Sequence, residues 1–183
     1  MVTNASITKA RFAEAAFAIV AALTLALFAG VARADTLDEL PAEFSLLSTH
    51  HALFTVPGSG DQIYQCTSAN GALGWQLVGI DATLFDTDGH VFAKQNDIAS
   101  WVASDGSKLS GSVAGVAAAR GTSLPDQLYQ VRVDVGGAFG FISNVVRASV
   151  TGGSRPAQAC ESAQSQKVRV PFKAEYVFYE PAE

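Results

Sequence analysis

The aspartates of "DTDG", Asp86 and Asp88, have the i, i+2 spacing that opens a calcium loop. An EF-hand starting at Asp86 needs Gly at its sixth position and Glu at its twelfth, and Val91 and Asp97 stand there instead. Asp88-Gly89 therefore reads as a tight hairpin turn, and "SDGS" at Ser104–Ser107 reads the same way. His50, His51 and His90 are the only imidazoles. Adjacent strand residues point to opposite faces, so at most one of the first two can share a site with His90. A Ser-His-Asp arrangement is assembled in space rather than in sequence, but there is no G-x-S-x-G elbow to single out a nucleophile. Trp75 and Trp101, with Tyr64, Tyr129, Tyr176 and Tyr179, are the side chains on which a sugar ring could stack. Alternation points Tyr64 and Tyr176 inward, and the Gly-flanked "ALGWQ" makes Trp75 the tryptophan expected nearer the surface. The binding candidates are thus Trp75, Trp101 and His90; neither a metal nor a cofactor is expected. Cys66 in "QIYQC" and Cys160 in "AQACES" are the only cysteines: a bridge, a metal or redox pair, or two buried thiols.

The compartment bears on that choice. Lys9 and Arg11 precede a 17-residue apolar run, Ala15 to Val31, which is followed by "ARA" at Ala32–Ala34 and then Asp35. A basic segment, an apolar segment and an A-x-A site make a secretory signal peptide, with cleavage expected after Ala34. A retained anchor is the competing reading, and the run falls short of the roughly 20 residues that span a bilayer. An exported chain meets an oxidising environment, where an even cysteine count is most simply a disulfide. Neither C-x-x-C nor a neighbouring His supports a metal site, so a Cys66–Cys160 bridge is expected.

Residues 35–183 are expected to form a single domain of 149 residues, with 9 basic against 16 acidic side chains and a net charge of −7. Without a basic cluster this balance argues against nucleic acid and anionic membrane as partners. Period-two alternation dominates. In "VRVPFKAEYVFY", Val168, Val170, Phe172, Ala174, Tyr176 and Phe178 share one face, while Arg169, Lys173 and Glu175 share the other. In "LYQVRVDV", Tyr129, Val131, Val133 and Val135 face inward and Gln130, Arg132 and Asp134 outward. Further strands are expected at 52–56, 62–67, 74–78, 82–85, 90–93, 100–103, 109–117 and 141–150. "PGSGD", "SANGALG", "DTDG", "SDGS" and "DVGG" are read as turns between them. About ten short strands without intervening helices predict an all-β fold, an antiparallel β-sandwich or a jelly-roll-like barrel. Pro171 cannot donate to a ladder, so its stretch lies at an edge or carries a bulge. "LDELPAEF" is expected to be a short helical turn or irregular lead-in. The stretch from Thr151 to Lys167 reads as the longest loop, which the bridge would fasten to the strand of Cys66.

"YQC", "GWQLVGIDATLFDTDGHV", Trp101 followed by "DGSKLSGSV", "VTGGSRPAQAC" and "VRVPFKAEYVFY" together resemble, in order and spacing, the family known as domain of unknown function 3455. The resemblance covers roughly Pro57 to Tyr179 and implies an exported protein with no established activity. Relatives tend to carry a His-containing stretch and Gly-Pro-Thr before the tryptophan; here "VFAKQNDIASW" keeps Trp101 alone. Some relatives carry a malate dehydrogenase label. "VDVGGAFG" gives it no support: it is not G-x-G-x-x-G, and a strand pattern, "FISNVV", follows where a dinucleotide fold requires a helix.

By exclusion these residues predict a non-catalytic exported β-domain that binds a ligand, a cell-wall component or a protein partner. The alternatives are an extracytoplasmic hydrolase with a dispersed site and a purely structural envelope protein.

Overall fold

The structure, a computed structural model, describes residues 42–69, 71–161 and 167–183. The leader and its expected cleavage site lie outside these residues. A kinked 3-10 helix, Ala42–Thr49, is followed by eight strands: β1 (His50–Ala69), β2 (Ala72–Phe85), β3 (Val91–Asp97), β4 (Ser100–Ala103), β5 (Lys108–Val116), β6 (Gln127–Val135), β7 (Asn144–Gly152) and β8 (Lys167–Pro181). Each strand pairs antiparallel with its sequence neighbours, and β8 returns to pair with β1, closing an up-and-down barrel. The all-β antiparallel expectation holds. The strands number eight rather than about ten, and their order is a plain meander without jelly-roll crossovers.

The count falls because one expected turn and one expected break between strands are strand interiors. "PGSGD" runs through the middle of β1, with Gly58 opposite Leu84 on one side and Ala174 on the other. The reason is space. A Cβ at Gly58 would lie 2.6 Å from the Tyr176 ring, and one at Gly60 would lie 2.2 Å from the Asp81 carbonyl oxygen. These glycines let the wall approach its neighbours where a turn composition suggested a break. In the same way 74–78 and 82–85 are one strand, β2, whose register shifts opposite Ile63/Tyr64. "DTDG" and "SDGS" are true hairpins: Gly89 N–H donates to the Asp86 carbonyl (3.1 Å) and Gly106 N–H to that of Ala103 (3.0 Å). β7 begins at Asn144, and Phe141 stays in the β6–β7 connection, 79% exposed. Pro171 lies just beyond the last β7–β8 pair, Gly152↔Phe172, so its missing N–H interrupts no ladder there.

Alternation sorts side chains into two apolar layers. Phe172, Ala174, Tyr176 and Phe178 of β8 face inward with Val56, Ile80, Leu84, Trp101, Leu109, Tyr129 and Val145. Val177 and Tyr179 point outward, yet they are buried too, because Phe44 and Leu47 of the 3-10 helix cover them with Leu128 and Val146. "LDELPAEF" thus ends in a helix that shields one patch of the outer wall. One end of the interior is plugged by phenylalanines: Phe178 stacks on Phe54 (4.8 Å) and on Phe139 (5.6 Å), and Phe92 meets all three edge-on.

Asp105 ties that plug to the wall. Its Oδ1 accepts from the Ser107 hydroxyl (2.6 Å) and N–H (2.9 Å), and its Oδ2 accepts from Ala138 N–H (2.8 Å), next to Phe139. The Ser107 hydroxyl first, then the Ser107 and Ala138 amides, hold the carboxyl below the usual carboxylate range.

Two outcomes follow. Gly58→Ala should destabilise by about 1–3 kcal/mol, the usual cost of overpacking, read by denaturant unfolding; unchanged stability would mean that the β1 wall can move aside. Because the folded pKa of Asp105 is depressed, its stabilising effect is complete above the ordinary carboxylate value and is lost as pH falls through the folded value. Asp105→Asn should therefore melt lower than wild type at neutral pH, with the gap closing in melts taken below about pH 4.

Candidate functional site

The middle of the barrel carries a belt of polar side chains that the alternation of the walls turns inward. Gln62 and Tyr64 come from β1, Gln95 from β3, Trp101 from β4, Gln127 and Tyr129 from β6, Arg147 from β7 and Tyr176 from β8. Register accounts for the grouping: Arg147 stands between Gln127 and Tyr176, and Trp101 lies opposite Gln95. Tyr176 donates to Gln95 Oε1 (2.7 Å), and Gln95 Nε2 donates to the Ile98 carbonyl (2.9 Å). Gln127 Oε1 accepts from both Tyr129 (2.7 Å) and Arg147 Nη2 (2.6 Å). Trp101 packs edge-on against Tyr129 at 5.2 Å. Burial raises both the Tyr129 and the Tyr176 phenol well above the ordinary value, so both remain neutral donors.

The belt is incompletely satisfied. Arg147 is 1% exposed, and its Nε and Nη1 have no hydrogen-bond partner. Gln62 is fully buried with both Oε1 and Nε2 unpaired, and Trp101 Nε1 is unpaired as well. Among the described residues no carboxylate forms an ion pair with Arg147. The buried Asp126 is engaged instead by Arg120 (3.0 Å). The Arg147 guanidinium lies 5.6 Å from the centroid of the Phe172 ring. Buried polar atoms are nearly always paired, and among the described residues all those left unpaired lie in this cluster except the Tyr179 hydroxyl of the outer layer.

Below the belt the barrel end is covered by residues 153–160, after β7. Cys66 and Cys160 form a disulfide with Cα atoms 5.6 Å apart. Trp75, directly opposite Cys66 across the β1–β2 ladder, donates from its indole N–H to the Gln158 carbonyl (2.8 Å). Tyr64 donates to the Gly153 carbonyl (2.8 Å). The bridge fastens the loop to the sheet, as its cysteines suggested.

The three binding candidates do not converge. Trp75 is 4% exposed, beneath the loop, which corrects the expectation that it reaches the surface. Trp101 is 0% exposed inside the barrel. Neither offers a face to a sugar, because each indole is enclosed by the walls that its strand helps to form. His90 lies at the β2–β3 hairpin, its side chain 79% exposed, with Nδ1 3.4 Å from Asp86 Oδ2. Asp86, Asp88 and His90 can bring one ligand atom each within 4.8 Å of one another. Yet Asp86 Oδ1 already accepts from the Asp88 and His90 amides (3.0 and 2.8 Å), the bonds of a hairpin turn. His51 lies in a shallow groove with Phe141 and Glu180.

Arg147, Gln62 and Gln127 were missed by sequence reasoning. Their signal is positional: "NVVRASV" puts Arg147 in phase with Val145, which is inward, and "DQIYQC" puts Gln62 in phase with Tyr64 and Cys66.

An eight-stranded antiparallel barrel with a polar centre belongs to the class of β-barrels wide enough for side chains or one small ligand. The family model described as "Protein of unknown function (DUF3455)" matches residues 47–99 and 89–180, and the chain belongs to this family. A search of the curated proteins finds no match, and neither does a search of the solved structures.

Cys66→Ser/Cys160→Ser should lose up to about 4.7 kcal/mol, the chain-entropy value for a closed loop of this size. Trp75 emission should shift to the red as the loop lifts. An unshifted spectrum would show that the loop stays down without the bridge.

Proposed function

We propose that this protein is an extracytoplasmic, non-catalytic binding protein that takes a small molecule into the barrel interior. One observation carries the reading: polar atoms of Arg147, Gln62 and Trp101 face the core without protein partners. Leaving such groups buried and unpaired costs roughly 1–3 kcal/mol each, and more for a charge. A ligand that supplies the missing partners removes that cost, and so binds with specificity as well as affinity. The disulfide and the leader fit an oxidising compartment. The outward faces of β6 and β8 carry Arg132, Asp134, Arg169, Lys173 and Glu175, which suits a water-facing wall rather than the apolar outer band of a membrane barrel. The exposure of His51 and His90, with Asp86 as the partner of His90, argues against a hydrolase.

The test is a thermal-shift screen of the full chain, expressed with its own leader and purified in oxidised form, against small metabolites, metals and polysaccharides. A ligand at 100 times its Kd stabilises by about 2.7 kcal/mol. The reading expects a saturable shift from a small molecule, accompanied by a change in fluorescence that Trp101→Phe removes. A shift from polysaccharide alone, or none across the panel, would replace it with a surface-binding or structural role.

A further inference from the structure

We infer that the molecule held in the barrel is a small organic carboxylate, paired with Arg147 and with the amide of Gln62. This rests on the interior-binding reading and adds to it the charge and chemical class of the ligand.

A guanidinium has five N–H donors, and Arg147 places only one hydrogen bond, to Gln127 Oε1. Its Nε and Nη1 are buried and unpaired. The two side chains that hold it, Gln127 by a hydrogen bond and Phe172 by its ring face, are both neutral. A buried cation without a counter-charge is among the more costly arrangements a core can contain, and the cost is removed by an anion at hydrogen-bond distance. The planar fork of guanidinium matches the two oxygens of a carboxylate. One buried cation calls for one negative charge, which favours a carboxylate over a doubly charged phosphate.

Gln62 supplies the second, independent feature. It reaches the same region from β1, on the other side of β8 from Arg147: a point beside Gly153 lies 3.2 Å from Gln62 Cγ and 2.9 Å from Phe172 Cβ. Its amide has a free donor and a free acceptor at full burial, so it can donate to a carboxylate oxygen or bond to a polar group on the ligand. Burial raises the Tyr64 phenol above its ordinary value, and Arg155 and then Arg147 oppose that rise, which places both cations within electrostatic reach of this region.

The apolar part of the ligand is indicated by the neighbours of the guanidinium. Phe172, Tyr176 and Tyr129 present rings and ring edges, not further charges. Phe172 also borders a groove of about 570 Å³ on the outer wall, lined by Ser59, Gly60, Gly152, Pro171 and Lys173. The groove lies where β7 and β8 fall out of register between Ala148 and Thr151. One residue therefore borders both the solvent-facing groove and the guanidinium, and Lys173 places a cation at that approach.

The experiment compares matched probes on the full oxidised chain by thermal shift in a buffer free of chloride and carboxylate. Hexanoate and benzoate are set against 1-hexanol and benzamide, with chloride and sulfate as inorganic anions. Saturable rises in Tm of about 5–10 °C near 100 times Kd are expected for at least one carboxylate, with none for its neutral partner. Arg147→Gln should abolish the response, and Arg147→Lys, which keeps the charge but not the fork, should retain part of it. Arg147→Met should melt higher than unliganded wild type, because an apolar side chain replaces an unpaired buried charge; a lower Tm would mark Arg147 as structural and overturn the inference. Equal shifts from the neutral probes would overturn the carboxylate assignment while leaving interior binding intact. An equal shift from chloride or sulfate would reassign the site to an inorganic anion. No shift from any probe would overturn this inference, and, if the wider screen is also silent, the binding reading with it. The wild-type arms decide even where a variant fails to fold.

Discussion

The whole molecule depends on the pairing of its first strand with its last. β1 and β8 run antiparallel from His50↔Pro181 to Gln65↔Lys167, and this seam turns an open meander into a closed wall. Closure removes the unpaired edges that an eight-stranded sheet would otherwise present. It also defines an inside. Each strand then has one face toward a common core and one toward water, and a side chain's environment follows from its phase alone. Because the seam joins strands distant in sequence, its contacts are non-local and cost more loop-closure entropy than the hairpins do.

Closure is also demanding at the seam itself. β1 is the longest strand and must bend with the wall, and it does so with glycine at 58 and 60 facing inward. The space beside Gly58 is taken by the Tyr176 ring, the same residue that bonds Gln95 in the polar belt, and that beside Gly60 by Asp81 and Ala82 of β2. Wall curvature and the position of a belt residue therefore share a cause.

Along its axis the interior changes character. Stacked phenylalanines plug one end, a disulfide-held loop covers the other, and the polar belt lies between them. The plug and the loop account for stability in ordinary ways, by apolar burial and by restricting the unfolded chain. The belt does not. Arg147 and Gln62 keep polar atoms buried without partners, and sites that bind often hold groups whose partners arrive with the ligand.

The sequence by itself determined the all-β class, the hairpins at "DTDG" and "SDGS", the inward set of β8 and the pairing of two cysteines, because each rests on local periodicity, turn chemistry or a count of two. It misplaced the turn at "PGSGD", since glycine reads the same whether it relieves a turn or a close approach across a wall, and only the neighbouring Tyr176 and Asp81 distinguish the two. It could name Trp75 and Trp101 only as binding candidates, because an aromatic's type does not reveal what covers it; the loop at Gln158 and the opposite strands do. The site around Arg147 was decided by tertiary structure alone. A lone arginine in an alternating strand reads as a solvated face, and it becomes a buried charge only when β7 is placed between β6 and β8 with Val145 and Arg147 turned to the inside, a register set by pairing between distant segments.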